Sequence, residues 1–73
     1  MTNKELIKEL YKLKNRVNNK QAVQYIDKIS SDVNVGMTSR GVIVGLHDVG
    51  NIVGRDNRAN KNITGLMYNV ARR

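Results

Sequence analysis

The chain has 73 residues, and 13 lysines and arginines against 6 acidic residues give it a net charge of +7. A chain of this length forms one small domain, residues 1–73, which is too small to enclose a deep active site. The absence of cysteine and the presence of a single histidine, His47, exclude disulfides, thiolate metal sites and histidine clusters within one chain. We therefore expect no metal and no cofactor, and a fold stabilised by packing within the chain or across a homodimer.

The basic residues are concentrated toward both ends of the sequence. Residues 1–20 contain six basic and two acidic residues, residues 55–73 contain five and one, and the middle of the chain is close to neutral. This balance favours a polyanionic partner, which can be nucleic acid, an anionic membrane or an acidic protein surface. The alternative explanation is solubility combined with the Lys and Asn preference of an AT-rich genome.

The most apolar segment, residues 41–54, is interrupted by His47, Asp48 and Asn51. It is also shorter than the roughly 20 residues that a membrane-spanning helix needs. No charged and apolar leader with a small-residue cleavage site opens the chain. These features predict a cytoplasmic protein that has no membrane partner.

Two amphipathic helices are predicted in the first half of the chain. Thr2 and Glu5 have the spacing of a capping box, which begins the first helix. Asn18 and Asn19 end this helix and can cap the second. The region of Ser30, Ser31, Asn34 and Gly36 is predicted to end the second helix and form a loop. The apolar stripes are Leu6, Leu10, Leu13 and Val17, followed by Ala22, Val23, Ile26, Ile29 and Val33.

The Val-, Ile- and Gly-rich segment from Ser39 to Gly54 fits a third helix better than a strand. In a strand its apolar side chains would point to both faces, whereas in a helix, with a step of 100° per residue, they lie on one side. Interior glycines are costly in a helix, and we expect them to allow a neighbouring helix to approach closely. The alternative is a β-meander with turns at "DVGN" and "DNRANKN". The helical stripe is Val42, Leu46, Val49 and Val53, with Ile43 and Ile52 at its margins.

A fourth helix is predicted after Gly54, which suits the left-handed residue at a helix end, and Asn57 is the expected cap. Its stripe is Ala59, Ile63, Leu66, Met67 and Val70. The segment "DVGNIVGRDNRANKNI" resembles a helix-turn-helix over residues 48–67, with Gly50 where the two helices touch. Its "GRDN" turn is also similar to that of the DNA-binding domain of the bacterial replication initiator. The segment differs from these families at Asn60, where they usually have an apolar residue. An ordinary antiparallel helical hairpin with the same turn is the alternative.

The resemblance implies that the last helix binds duplex DNA. Arginine can pair with guanine edges and asparagine with adenine edges, and lysine and arginine neutralise phosphates. The basic first helix would then be a phosphate-facing flank or simply a solvated face. The candidate nucleic-acid-binding residues are Arg55, Asn57, Arg58, Lys61, Asn62, Arg72 and Arg73.

No catalytic arrangement is evident in the sequence. His47 and Asp48 are adjacent on the predicted helix and point about 100° apart. The glycines match neither a phosphate-binding loop nor a dinucleotide fingerprint. We therefore expect a non-enzymatic, all-α bundle of about four helices that acts as a small DNA-binding transcriptional regulator of phage or plasmid type. The alternative functions are an antirepressor-like modulator that binds a repressor or another protein through the Gly-flanked apolar stripe and, less favoured, a membrane-active peptide.

Overall fold

The computed structural model describes residues 1–54 and 57–72, and of Asn57 only the backbone. The described residues form four helices and no strand. The helices are α1 (Asn3–Arg16), α2 (Lys20–Asn34), α3 (Ser39–Val53) and α4 (Asn57–Ala71). The predicted all-α bundle of four helices is confirmed, and the alternative β-meander is wrong.

Side-chain caps begin the first two helices where the sequence predicts them. The hydroxyl oxygen of Thr2 accepts a hydrogen bond from the Glu5 amide at 3.1 Å, and a Glu5 carboxylate oxygen accepts one from the Thr2 amide at 3.0 Å. The side-chain oxygen of Asn19 accepts a hydrogen bond from the Ala22 amide at 3.0 Å. Asn57 differs from the prediction, since it is the first residue of α4 and not the cap that precedes the helix.

The second helix continues further than its serines suggested. Ser30 lies inside α2, where its hydroxyl donates a hydrogen bond to the carbonyl oxygen of Ile26 at 3.0 Å, so the side chain finds its partner within the helix. The loop that follows contains Gly36 with a φ of 106°, a backbone conformation that favours glycine. Thr38 then caps α3 by accepting a hydrogen bond from the Gly41 amide at 3.2 Å.

One hydrophobic core is shared by all four helices. Every buried residue in the described part of the chain is apolar, and each belongs to a stripe that the sequence predicts. Val23, Val53 and Met67 are only partly buried and pack against the edge of this core. The helical phase read from the sequence is therefore correct in all four helices.

Helices α2 and α3 approach each other closely at Gly45. A Cβ atom added at Gly45 would lie 2.8 Å from Cδ1 and 2.9 Å from Cγ1 of Ile29, closer than such atoms normally approach. Gly50, the predicted helix contact, does face α4, but a Cβ there would lie 3.5 Å from Asn60 and 3.9 Å from Ile63, at ordinary van der Waals distance. Close approach therefore requires glycine at Gly45 and not at Gly50.

Each helix packs against the next along the chain, and α4 also packs against α1. The bundle measures 29 × 21 × 18 Å along its principal axes. The first and last helices are therefore neighbours, and this contact brings together the two basic ends of the sequence.

Candidate nucleic-acid interface

The contact between α1 and α4 concentrates positive charge on one side of the bundle. Helix α1 contains five basic and two acidic residues, and residues 57–72 contain three basic residues and no acidic one. Helices α2 and α3 each contain equal numbers of basic and acidic residues. The net charge carried by the described helices thus lies on the side formed by α1 and α4.

Helix α4 presents a continuous exposed row of side chains on the face opposite its buried stripe. The spacing of these residues, at steps of three and four, places them along one line of the helix. Tyr68 in this row is 66% exposed. We call this row the α4 stripe; its residues, all exposed, are Arg58, Lys61, Gly65, Tyr68 and Arg72.

Three of the predicted contact residues, Arg58, Lys61 and Arg72, are exposed in the α4 stripe. Asn62 is only partly buried and lies on the side of α4 that faces α1. The predictions for Arg55 and Arg73 lie outside the described residues, as does the prediction for the Asn57 side chain. The fold therefore brings three of the seven predicted residues onto one exposed line and turns a fourth, Asn62, toward α1.

A basic groove runs between α1 and α4. Arg16 donates a hydrogen bond from Nη1 to Oδ1 of Asn62 at 3.0 Å, which joins the two walls. In the same groove Lys12 Nζ lies 3.4 Å from a carboxylate oxygen of Glu9, and both side chains are substantially exposed. The groove, named the basic groove below, is lined by Glu9, Lys12, Leu13, Arg16, Lys61, Asn62, Gly65, Leu66 and Asn69.

The sequence alone does not indicate Lys12, Arg16, Gly65 or Tyr68 as individual site residues. The sequence shows the excess of positive charge in α1, but it does not show that α1 packs against α4 in the fold. Tyr68 and Gly65 could have been found from their spacing, since they follow Lys61 by seven and four residues on the face opposite Ile63. A helical projection that marks all exposed residues, and not only charged ones, identifies the row.

Lys14 differs from the other basic residues of α1 because it serves the packing of α1 on α2. Its ammonium group lies 2.8 Å from a carboxylate oxygen of Asp27 and 5.7 Å from the centre of the Tyr11 ring. The hydrogen bond to Asp27 raises the pKa of Lys14 above its ordinary value. Lys14 is therefore held away from the basic groove, which has Lys12 and Arg16 on its α1 wall.

A side chain of α4 hydrogen-bonds to the backbone at the end of α3. Asn60 donates a hydrogen bond from its side-chain amide to the carbonyl oxygen of Gly54, the residue that ends α3 with a φ of 64°. The φ of Gly54 is positive, as the sequence predicts, but its ψ of −125° lies outside the left-handed helical region. Asn60, the residue that departs from the helix-turn-helix pattern, thus gives a carbonyl group at the helix end a partner that an apolar side chain could not provide.

No carboxylate within residues 1–54 and 57–72 is a partner of His47. Its Nδ1 lies 3.5 Å from the side-chain nitrogen of Asn51, one helical turn away. Among the described residues there is no group of three His, Cys, Asp or Glu side chains that could hold a metal ion.

Within residues 1–54 and 57–72, none of the helices combines the length and the apolar character required to cross a membrane. The stripe of Val42, Leu46 and Val49 is fully buried in the core. This stripe is therefore not a free surface.

Comparison with known proteins gives no match to the chain among family models, curated proteins or solved structures.

Proposed function

We propose that this protein is a small DNA-binding transcriptional regulator of phage or plasmid type, which contacts duplex DNA through the side formed by α1 and α4. The observation that supports the proposal is the segregation of charge, with α1 and α4 basic and α2 and α3 neutral. A basic surface on one side of a small domain is the electrostatic feature by which nucleic-acid-binding proteins attract phosphates. A cytoplasmic location, where the DNA would be, accords with this proposal.

In this proposal α4 enters the major groove, whose width accommodates one α-helix. The α4 stripe supplies arginine and lysine on the exposed line, together with a tyrosine that can donate to phosphate. No acidic side chain occurs between residues 57 and 72 to repel the DNA backbone. The helix-turn-helix resemblance and the packing of α3 on α4 favour α4 over α1 as the inserted helix.

The test compares two double variants that remove the same charge from opposite sides of the bundle. Lys61→Gln with Arg72→Gln removes two of the three positive charges of the α4 stripe, and Lys28→Gln with Arg40→Gln removes two positive charges from exposed residues of α2 and α3. Duplex binding is measured over a series of salt concentrations. Each lost phosphate contact should reduce the slope of log affinity against log salt by about 0.9, so only the α4 variant should show a flatter slope. Both variants should retain the helical circular dichroism spectrum of the parent.

If the two variants lost duplex affinity and salt dependence equally, binding would depend on net charge alone. That result would contradict a specific DNA-binding surface on α1 and α4. A parent protein that binds no duplex at low salt would overturn the proposal. The antirepressor-like function would then take its place. The partner could not use the buried stripe of α3, so it would have to engage exposed apolar side chains such as Val35 and Val44.

A further inference from the structure

Gly65 is a glycine in the interior of α4 that the packing of this chain does not require. A Cβ atom added there would meet no atom within 4 Å, and the backbone has no positive φ. Glycine in the interior of a helix is destabilising relative to alanine, because it loses more backbone freedom on folding. Close packing accounts for the glycine at Gly45, and a positive φ accounts for the glycine at Gly54. Neither cause accounts for the glycine at Gly65.

The space above Gly65 is part of the basic groove. Lys12 and Arg16 lie on the α1 wall, and Lys61 lies on α4 one turn before Gly65. The Arg16 guanidinium is positioned by its hydrogen bond to Asn62 and has further N–H donors. The bare backbone of Gly65 is thus bordered by three cationic side chains.

We infer that a phosphodiester backbone lies in the basic groove over Gly65, so that α1 and α4 hold one nucleic-acid strand between them. A glycine lets a ligand approach the helix backbone closely, and lysine and arginine neutralise phosphates from both sides. This inference rests on the proposed function and deepens it. When α4 lies in a major groove, its flank toward α1 faces one of the two backbones that border that groove. Glu9, at one end of the basic groove, is the acidic residue among its lining residues and opposes this binding.

The first experiment compares substitutions that fill the groove with substitutions that leave it open. Gly65→Ala should raise the thermal midpoint, because alanine favours the helix, and yet weaken duplex binding. Gly65→Gln should weaken binding by about tenfold.

Gly50→Ala is the matched control for helix propensity, since its Cβ fits against α4 outside the basic groove. Thr64→Gln is the control for added bulk, because Thr64 is exposed and lies toward α3. Both controls should bind as the parent does, and Glu9→Gln should bind more tightly.

The second experiment separates the groove from duplex recognition. The parent is titrated with duplex DNA and, separately, with a short single-stranded oligothymidylate while backbone amide resonances are followed by NMR. The inference predicts that both ligands shift the resonances of Asn62, Gly65 and Arg16 more than those of α2. If only the oligothymidylate shifts them, the groove binds a phosphodiester strand and the duplex function is wrong.

If duplex DNA binds but Gly65→Gln binds as the parent does, the inference about the groove is wrong and the proposed function stands. Shifts confined to residues outside the basic groove lead to the same conclusion. If neither ligand binds, both are wrong.

Discussion

Gly45 on α3 lies so close to Ile29 on α2 that an added Cβ would approach the Ile29 side chain to 2.8 Å. Ile29 is buried, with 4% of its surface exposed, so its side chain has little free space into which to move. The close packing of α2 on α3 at this point therefore depends on the absence of a side chain at Gly45.

The close approach predicts opposite responses to the same substitution at two glycines of α3. Gly50→Ala should stabilise the fold by about 0.5 to 1 kcal/mol, because the methyl group fits and alanine favours a helix. Gly45→Ala should be less stable than the parent, because overpacking, which typically costs about 1 to 3 kcal/mol, should exceed the gain in helix propensity. Urea unfolding of the two variants measures the difference.

A double variant identifies the cause of the cost at Gly45. Ile29→Val removes Cδ1, the atom closest to the added methyl group. Gly45→Ala should therefore cost less in the Ile29→Val background than in the parent, with a coupling free energy of at least about 0.5 kcal/mol. Strict additivity would show that the two side chains do not compete for space.

The hydrogen bond from Asn60 to the Gly54 carbonyl predicts that an apolar residue is not an improvement at this position, although helix-turn-helix families usually have one. Asn60→Ala should lower the free energy of unfolding by about 1 kcal/mol, the typical net contribution of a hydrogen bond. Asn69→Ala, at an exposed residue of the same helix, is the control and should change stability by less than about 0.5 kcal/mol. Equal effects of the two substitutions in urea unfolding would show that the contact contributes nothing.

The ion pair between Lys14 and Asp27 predicts a stability difference that depends on pH. Asp27 raises the pKa of Lys14 in the folded protein, so the pair stabilises the fold fully below the ordinary lysine pKa of about 10.4. The contribution is lost as the pH rises through the higher pKa of the folded state. Asp27→Asn should therefore be less stable than the parent at neutral pH and equally stable once Lys14 is deprotonated.

Urea unfolding at neutral and at strongly alkaline pH measures this difference between the parent and Asp27→Asn. Glu9→Gln is the matched control, since it removes the same charge from the exposed pair with Lys12. This control should show a smaller difference, and it should leave the pKa of Lys14 unchanged in an NMR titration. A difference that persists after Lys14 has lost its proton would assign the effect of Asp27→Asn to something other than the ion pair.

The exposure of Tyr68 allows the proposed interface to be tested by fluorescence, because the chain has no tryptophan and only three tyrosines. In a protein with Tyr11→Phe and Tyr25→Phe, the remaining emission comes from Tyr68. Duplex DNA should change this emission. The change should saturate with the same affinity that an independent binding method measures. Tyr68→Ala should weaken DNA binding and change stability by less than about 0.5 kcal/mol, since the side chain is exposed. Unchanged emission on saturation with DNA would remove Tyr68 from the interface.

The helices and their core could be predicted from the sequence because both depend on local spacing. A helix that buries Leu6 and Leu10, or Val42 and Leu46, shows this in its periodicity, and Ser39–Val53 is helical, as its periodicity predicts, despite its Val, Ile and Gly content. The glycine at the tight crossing could not be chosen in the same way. The distance between Gly45 and Ile29 depends on how α2 and α3 cross, and periodicity within one helix does not determine that.

The candidate site was only partly predictable for the same reason. Lys61 and Arg72 follow from their position opposite the buried stripe of α4. Arg16 could not be assigned to the site, because it is 46 residues away from its hydrogen-bond partner Asn62. Joining these residues requires knowledge that α1 packs on α4, and no local pattern contains it.

The packing of α1 against α4 also bears on the order of folding. Contacts between consecutive helices close short loops, whereas the contact between the first and last helices closes nearly the whole chain, and such non-local contacts slow folding. A folding intermediate with α2, α3 and α4 in native packing but with α1 undocked would have only the α4 wall of the basic groove. Arg16 would not yet be in place to hydrogen-bond to Asn62. The groove is complete only once the first and last helices have docked.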